Sequence, residues 1–103
     1  MLALEVEMDG AKFVVAGAED WGLLAAHLTA SQAIPDAPAP SARVDTVEFS
    51  IGGLTERDAD GNAHHFRWAR KTLTVGSRVA IRVVKVTSAD PPIKRYRSYD
   101  API

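Results

Sequence analysis

The chain has no cysteine among its 103 residues. This absence excludes disulfide bonds, cysteine-ligated zinc, iron–sulfur clusters and thiol nucleophiles. Aromatic residues are scarce, at 7% of the sequence, and no apolar run approaches the roughly 18 residues that a membrane-spanning helix requires. The first residues, MLALEVEMDGAK, lack the basic start and the unbroken apolar stretch of a secretory signal. We therefore expect a cytoplasmic protein that makes no membrane contact.

Signatures of catalysis and nucleotide binding are absent as well. No serine lies in a G-x-S-x-G elbow, and the chain contains neither a P-loop nor a G-x-G-x-x-G turn. The three histidines, His27, His64 and His65, lie in contexts that identify no general base. We predict that the protein is not an enzyme and uses no cofactor.

The charge is divided between the two halves of the chain. Residues 1–60 carry eleven acidic and three basic side chains, whereas residues 61–103 carry two acidic and nine basic ones. Such a division is expected when acidic and basic strands lie side by side and neutralise each other across a sheet. The alternative is a surface that attracts a charged partner.

Short strands and turns dominate the residue patterns. In LALEVEMDGAKFVVA, apolar residues alternate with alanine and glutamate around Asp9-Gly10, which predicts a hairpin with Met8 opposite Ala11. That register would place Phe13 and Val15 on the apolar face of the first strand. RVDTVEFSIGGL and TLTVGSRVAIRVVKV predict two more strands, and the Val-Val doublet in the second suggests a bulge or burial on both sides.

Residues 19–32 fit two structures. Trp21, Leu24 and Leu28 have helical spacing and the alanines favour a helix. A strand would instead turn Leu24, Ala26, Leu28 and Ala30 inward. A proline-rich loop is expected at 33–42, and residues 88–103 form a tail without a core pattern of its own, whose mobility the sequence leaves open. With 47% apolar residues, the chain should form one β-rich domain over residues 1–103. We predict an all-β fold, a small antiparallel sandwich or partly open barrel of about six strands, with a short helix as the alternative at 19–32.

Five segments, WGLLAAHL, FSIGGL, HFRW, LTVGSRVAIRVV and ADPP, together resemble a group of small uncharacterised bacterial proteins. The resemblance spans most of the chain and rests on strand-and-turn motifs. The segment that matches residues 21–30 is richer in β-branched residues in that group, so the resemblance implies a strand there. It implies no activity and no binding residue.

The segment DADGNAHHFRW raises the question of a metal. Asp58, Asp60 and Asn62 match the first oxygen positions of a calcium loop, but alanines stand where the loop requires glycine and a bidentate glutamate. Adjacent histidines on a strand point to opposite faces, so His64 and His65 do not readily chelate one ion. We predict a hairpin turn at Asp60-Gly61 or Gly61-Asn62 and no metal, although the sequence leaves open whether the histidines meet.

These observations favour a non-catalytic protein-interaction module, accessory or immunity-like by analogy. Its partner would be another protein, including a second copy in a homodimer. The alternative is a single-stranded nucleic-acid-binding domain that uses cations interleaved with aromatic rings near the C-terminus, although a pI near 6.3 opposes it. The candidate partner contacts are Trp21, Trp68, Arg95, Tyr96 and Arg97.

Overall fold

The predicted N-terminal hairpin is present. In the computed structural model, which describes residues 1–33, 35 and 45–97, β1 (Leu2–Met8) pairs antiparallel with β2 (Ala11–Ala16), and Met8 lies opposite Ala11. Asp9 and Gly10 have φ angles of 53° and 82°, the left-handed pair that a two-residue primed turn requires. Asp-Gly at this position therefore determines how the chain reverses.

The predicted register holds only next to this turn. A bulge between Val6 and Glu7 shifts the pairing, so that Val14 lies opposite Val6. The prediction that Phe13 faces the core is therefore wrong, since its side chain is 37% exposed. Val14 and Ala16 join the core cluster in place of Phe13 and Val15.

Five further strands complete the fold. They are β3 (Trp21–Ser31), β4 (Thr46–Thr55), β5 (His64–Leu73), β6 (Val79–Lys85) and β7 (Lys94–Arg97). All strand pairs are antiparallel, in a three-stranded sheet of order β2-β1-β6 and a four-stranded sheet of order β3-β4-β5-β7. The two sheets pack as a sandwich that does not close into a barrel, which confirms the all-β class. The described residues contain no helix.

The strand at residues 21–31 shows how pairing overrides propensity. Ala26 lies opposite Ile51 and Leu28 opposite Phe49, both of which are core residues of β4. Residues paired in an antiparallel sheet share a face, so the predicted inward row of β3 is confirmed. A helix here would leave one edge of β4 without backbone partners.

The doublet Val83-Val84 has a different environment from the one predicted. β6 pairs with β1 in an unbroken register, with Val83 opposite Leu4, so it contains no bulge. Nor is it buried on both sides, because it is an edge strand and its Val83 side chain is 68% exposed. The two valines lie on opposite faces of β6, and both faces are partly exposed to solvent.

The core lies between the central strands of the two sheets. Phe49 and Ile51 of β4 and Val6 of β1 are its most deeply buried large side chains. Phe66 and Trp68 of β5 complete it, with ring centroids 5.4 Å apart. The alternating pattern of β1, β4 and β5 thus supplies one apolar layer from each sheet.

One long side of the sandwich is closed by Asp90. Its main-chain N–H donates to the Val15 carbonyl at 2.9 Å, and its carboxylate accepts the Val15 N–H at 2.8 Å. Its carbonyl accepts the indole N–H of Trp68 at 2.8 Å. Asp90 therefore joins β2 of one sheet to β5 of the other. Part of the predicted tail thus belongs to the fold, through Asp90 and β7. Residues 34 and 36–42 of the predicted loop and 98–103 of the tail lie outside the described residues.

Candidate interaction surfaces

The opposite long side of the sandwich is open. Ile81 and Val83 of β6 lie opposite Val6 and Leu4, so they face the same way as the core. Ile81 is nevertheless 47% exposed and Val83 68% exposed. We call this side of the sandwich the open side and define it by four exposed, inward-facing aliphatic residues: Leu2, Leu28, Ile81 and Val83.

Leu28 contributes to the open side from the other sheet. Its partner in the register is Phe49, which is fully buried, yet Leu28 is 61% exposed. Leu28 therefore faces the inner side of its sheet but is left largely uncovered.

A small apolar cleft marks one end of the open side. Its volume is about 200 Å³, and Leu2, Trp21, Leu24 and Val83 are among its lining residues. Trp21 is half-buried, and its indole N–H donates to the Leu2 carbonyl at 3.0 Å. Trp21, a predicted partner contact, thus lies where β3 approaches β1.

The exposed edge of β3 differs from the other sheet edges. Over 11 residues, WGLLAAHLTAS, its only ionisable side chain is His27, and it contains no proline. By contrast, β2 is covered at Val15 by Asp90, β6 carries Arg82 and Lys85, and β7 has only four residues, KRYR. Charges, short length and a covering segment are the usual protections of a sheet edge. Within the described part of the chain, β3 has none of these three protections. Its one irregularity there is a β-bulge near Trp21.

A second surface lies on the outer face of the four-stranded sheet. A trough of about 340 Å³ crosses this face, and its floor is low because Ala25, Ser50 and Gly52 are small. A side chain at Gly52 could not be accommodated, since its Cβ would lie 2.7 Å from the Phe66 carbonyl oxygen. The rim of this outer trough carries polar and aromatic side chains from three strands: His27, His65, Arg67, Arg70 and Tyr96.

The structure separates the predicted partner contacts. Tyr96 lies on the outer face, stacked on His65 with ring centroids 5.0 Å apart and an interplanar angle of 7°. Arg95 points the other way, over the Phe66 ring at 4.7 Å and bonded to an Asp20 carboxylate oxygen at 3.0 Å. Neighbouring residues of a strand alternate between faces, so Arg95 and Tyr96 cannot contact one ligand together.

The other two predicted contacts have different positions. Trp68 is a core residue, only 3% exposed, and its indole N–H is satisfied by Asp90. It therefore does not reach the surface. Arg97 pairs with His64 in the β5–β7 register, and its side chain lies outside the described residues.

The histidines do not all meet. His27 and His65 both line the outer trough, whereas His64 faces the loop, with its ring 3.9 Å from an Asp58 carboxylate oxygen. Among residues 1–33, 35 and 45–97, no group of three or more histidine, cysteine or acidic side chains could hold a metal ion. The arrangement offers a polar rim rather than a chelating centre.

The loop between β4 and β5 is the predicted turn, with its centre one residue earlier. The Gly61 N–H donates to the Asp58 carbonyl at 2.9 Å, which places Ala59 and Asp60 at the tip. Gly61 follows with a φ of 79°, the left-handed residue typical of a longer hairpin loop. The Asp58 carboxylate accepts the Asn62 N–H at 3.0 Å, so this side chain stabilises the turn.

Part of the divided charge is neutralised within the fold. Three ion pairs, Glu5–Arg82, Glu48–Arg70 and Asp20–Arg95, each join an acid of the first 60 residues to an arginine of the remainder. Glu5 lies directly opposite Arg82 in the β1–β6 register. The interpretation that acidic and basic strands neutralise across a sheet is therefore confirmed for this pair.

No family model, curated protein or solved structure matches the chain. The resemblance to small bacterial proteins thus stays a prediction, and any function has to be inferred from the surfaces themselves. In the part of the chain that the structure describes, no helix is long and apolar enough to cross a membrane. The sequence patterns missed the open side, because the alternation of β6 does not indicate whether a second sheet covers its apolar face. They also missed Asp90, whose role depends on two strands that lie far from it in sequence.

Proposed function

We propose that this protein is a non-catalytic interaction module whose partner is a second copy of itself, bound along the open side. The observation that carries the proposal is that four inward-facing aliphatic side chains remain between 44% and 68% exposed. Exposed aliphatic rows of this kind mark association surfaces, because burying them removes apolar area from water. A second copy bound at this side would cover part of the exposed apolar surface.

The edge of β3 provides the backbone part of this interface. An antiparallel strand can pair with its own copy about a two-fold axis, which joins two sheets into one. Because His27 is the one ionisable side chain among the residues of β3, self-pairing of this strand brings few like charges together. The edges of β6 and β7 are less suited to self-pairing, because their basic side chains would be brought next to the same basic side chains of the other copy.

Side chains on the inner face of β3 fit such a pairing. With the two-fold axis at Ala26, Leu24 of one copy lies opposite Leu28 of the other. Leu24 is half-buried at the apolar cleft beside Trp21, whereas Leu28 is 61% exposed. Pairing in this register places each exposed leucine next to the cleft of the other copy and extends the row of apolar contacts.

The size of the effect can be estimated from Leu28. Complete burial of a leucine contributes roughly 2–3 kcal/mol, and 61% of this side chain is still exposed. Its burial at the interface would therefore contribute about 1.5 kcal/mol per copy, or about 3 kcal/mol per dimer. Loss of this contribution corresponds to a dissociation constant more than roughly 100-fold higher.

Sedimentation equilibrium over a range of protein concentrations tests the proposal. We expect the wild-type chain to approach twice its mass of 11.1 kDa and Leu28→Lys to remain monomeric at the same concentrations. The matched control is Ile93→Lys, because Ile93 is also apolar and 72% exposed but precedes β7 at the opposite edge of the sheet. This control should dimerise like the wild type.

Two outcomes would contradict the proposal. A wild-type chain that stays monomeric throughout the concentration range would show that the open side does not bind a second copy. Equal weakening of the dimer by Leu28→Lys and Ile93→Lys would place the contact elsewhere. Circular dichroism of both variants should match the wild type, since both side chains are mostly exposed.

A further inference from the structure

Two cations, Arg67 in the lining of the outer trough and Lys94 beside it, have no acidic partner among the described residues. Arg67 of β5 lies opposite Lys94 of β7, so both side chains project from the outer face. In the described ranges, neither has a carboxylate oxygen within salt-bridge distance. The only carboxylate that lines the trough belongs to Glu48, which already accepts the Arg70 Nε–H at 2.9 Å. This part of the face is therefore locally positive, although the whole chain has a net charge of −1.

An aromatic pair adjoins these cations. Tyr96 and His65 stack within the next cross-strand row, and the Lys94 ammonium lies 5.3 Å from the centre of the Tyr96 ring. Tyr96 is 41% exposed. A planar group entering the trough can thus contact an aromatic side chain while a negative group beside it contacts Arg67 or Lys94.

The shape of the face restricts the ligand. Gly52 and Ala25 lie in the same cross-strand row as Arg67, so small residues of the trough floor adjoin this cation. Among the described residues, the sheet face that carries the outer trough projects no helix or two-stranded ribbon that could enter the major groove of a duplex. Unpaired bases, by contrast, are free to stack on exposed rings while their phosphates contact nearby cations.

We infer that the outer trough binds single-stranded nucleic acid, with phosphates at Arg67 and Lys94 and a base against the His65–Tyr96 pair. The proposed contacts lie on β5 and β7, away from the β3 edge that pairs in the dimer, so the inference does not depend on self-association. Arg95, which the sequence grouped with Tyr96, has no part in it, because its guanidinium lies over Phe66 on the other face.

Fluorescence anisotropy of a labelled oligothymidylate, titrated with the full chain at several salt concentrations, tests the inference. We expect binding that weakens steeply with salt, as contacts to phosphate do. Tyr96→Ala should weaken it roughly 10- to 100-fold, the range for loss of one stacking contact. Arg67→Gln should weaken binding and lower the slope of log affinity against log salt by about 1.

The matched control is Arg82→Gln. Arg82 is an exposed arginine on the other sheet, where it pairs with Glu5. Its replacement should change the oligonucleotide affinity less than about twofold, because only a screened long-range electrostatic attraction is lost. Urea denaturation should show that Tyr96→Ala and Arg67→Gln fold like the wild type.

Several results would overturn the inference. The first is the absence of oligothymidylate binding at low salt. The second is an equal loss of affinity in Arg82→Gln and Arg67→Gln, and the third is an unchanged affinity in a folded Tyr96→Ala variant. Equal affinity for a duplex of the same length, or for polyglutamate, would show attraction to any polyanion rather than recognition of single strands. Leu28→Lys should retain oligonucleotide binding, which separates this test from that of the dimer.

Discussion

Replacement of Asp90 should weaken the closed side of the sandwich by a predictable amount. Asp90→Ala removes the carboxylate that accepts the Val15 N–H at 2.8 Å, and Val15 is only 8% exposed. A buried donor that loses its acceptor destabilises a fold by about 1–3 kcal/mol. The two main-chain bonds of Asp90, to Val15 and to the Trp68 indole, do not depend on its side chain. The loss should therefore stay within this range.

Urea denaturation followed by tryptophan fluorescence measures this loss, because Trp68 is buried beside Asp90. For a slope of about 1–1.5 kcal/mol per molar urea, typical of small domains, the midpoint should fall by roughly 0.7–3 M. Asp90→Asn keeps an acceptor oxygen and should lose less than half as much. All variants should be compared at one protein concentration, since dimerisation would stabilise the folded state.

Asp45→Ala is the matched control for Asp90→Ala. The Asp45 carboxylate also accepts a main-chain N–H at 2.8 Å, from Ala33, but this bond is exposed. Water can replace the lost acceptor there, so the stability should fall by less than about 0.5–1 kcal/mol. The reasoning is refuted if Asp90→Ala shifts the midpoint no more than Asp45→Ala does. It is also refuted if Asp90→Asn is as unstable as Asp90→Ala.

Two other stability measurements follow from the sheet geometry. Gly53→Ala should lower the unfolding free energy by roughly 2–3 kcal/mol, because its new Cβ would overlap the main-chain oxygen of Leu23. Gly61 has open space around it but a φ of 79°, so Gly61→Ala should lower the unfolding free energy by only about 1 kcal/mol. Equal losses of unfolding free energy for Gly53→Ala and Gly61→Ala in urea denaturation would contradict this. Arg82→Gln should lower the unfolding free energy by less than about 1 kcal/mol, because the Arg82 side chain of the ion pair with Glu5 is largely exposed to solvent. High salt should reduce the difference in melting temperature from the wild type, and an unchanged difference would show that the pair acts through packing.

The sequence predicts the local structure well where one signal determines it. Asp9-Gly10 identifies the first hairpin because few residue pairs adopt two successive positive φ angles. The position of the bulge near Val6 could not be predicted, because the turn sets only the first pairs and packing against the second sheet sets the others. The Asp58 loop shows the same limit, since the polar cluster predicts a turn but not which residues form its tip.

The candidate surfaces depend on contacts between distant parts of the chain. An alternating strand such as β6 predicts one buried face, but whether a second sheet covers that face is not encoded in the alternation. Val83 therefore looks like a core residue in the sequence and is 68% exposed in the fold. The pairing of Arg67 with Lys94, separated by 27 positions, likewise appears only once β7 adds to β5.

Concentration-dependent hydrogen exchange along β3 tests the central claim most directly. If two copies pair through this edge, alternate main-chain amides of residues 21–31 that face solvent in the monomer should become protected as the protein concentration rises. The amides at the β7 edge should show no such change, and Leu28→Lys should abolish the effect at β3. Exchange at β3 that is independent of concentration would contradict the account, as would protection that appears only at Lys94–Arg97.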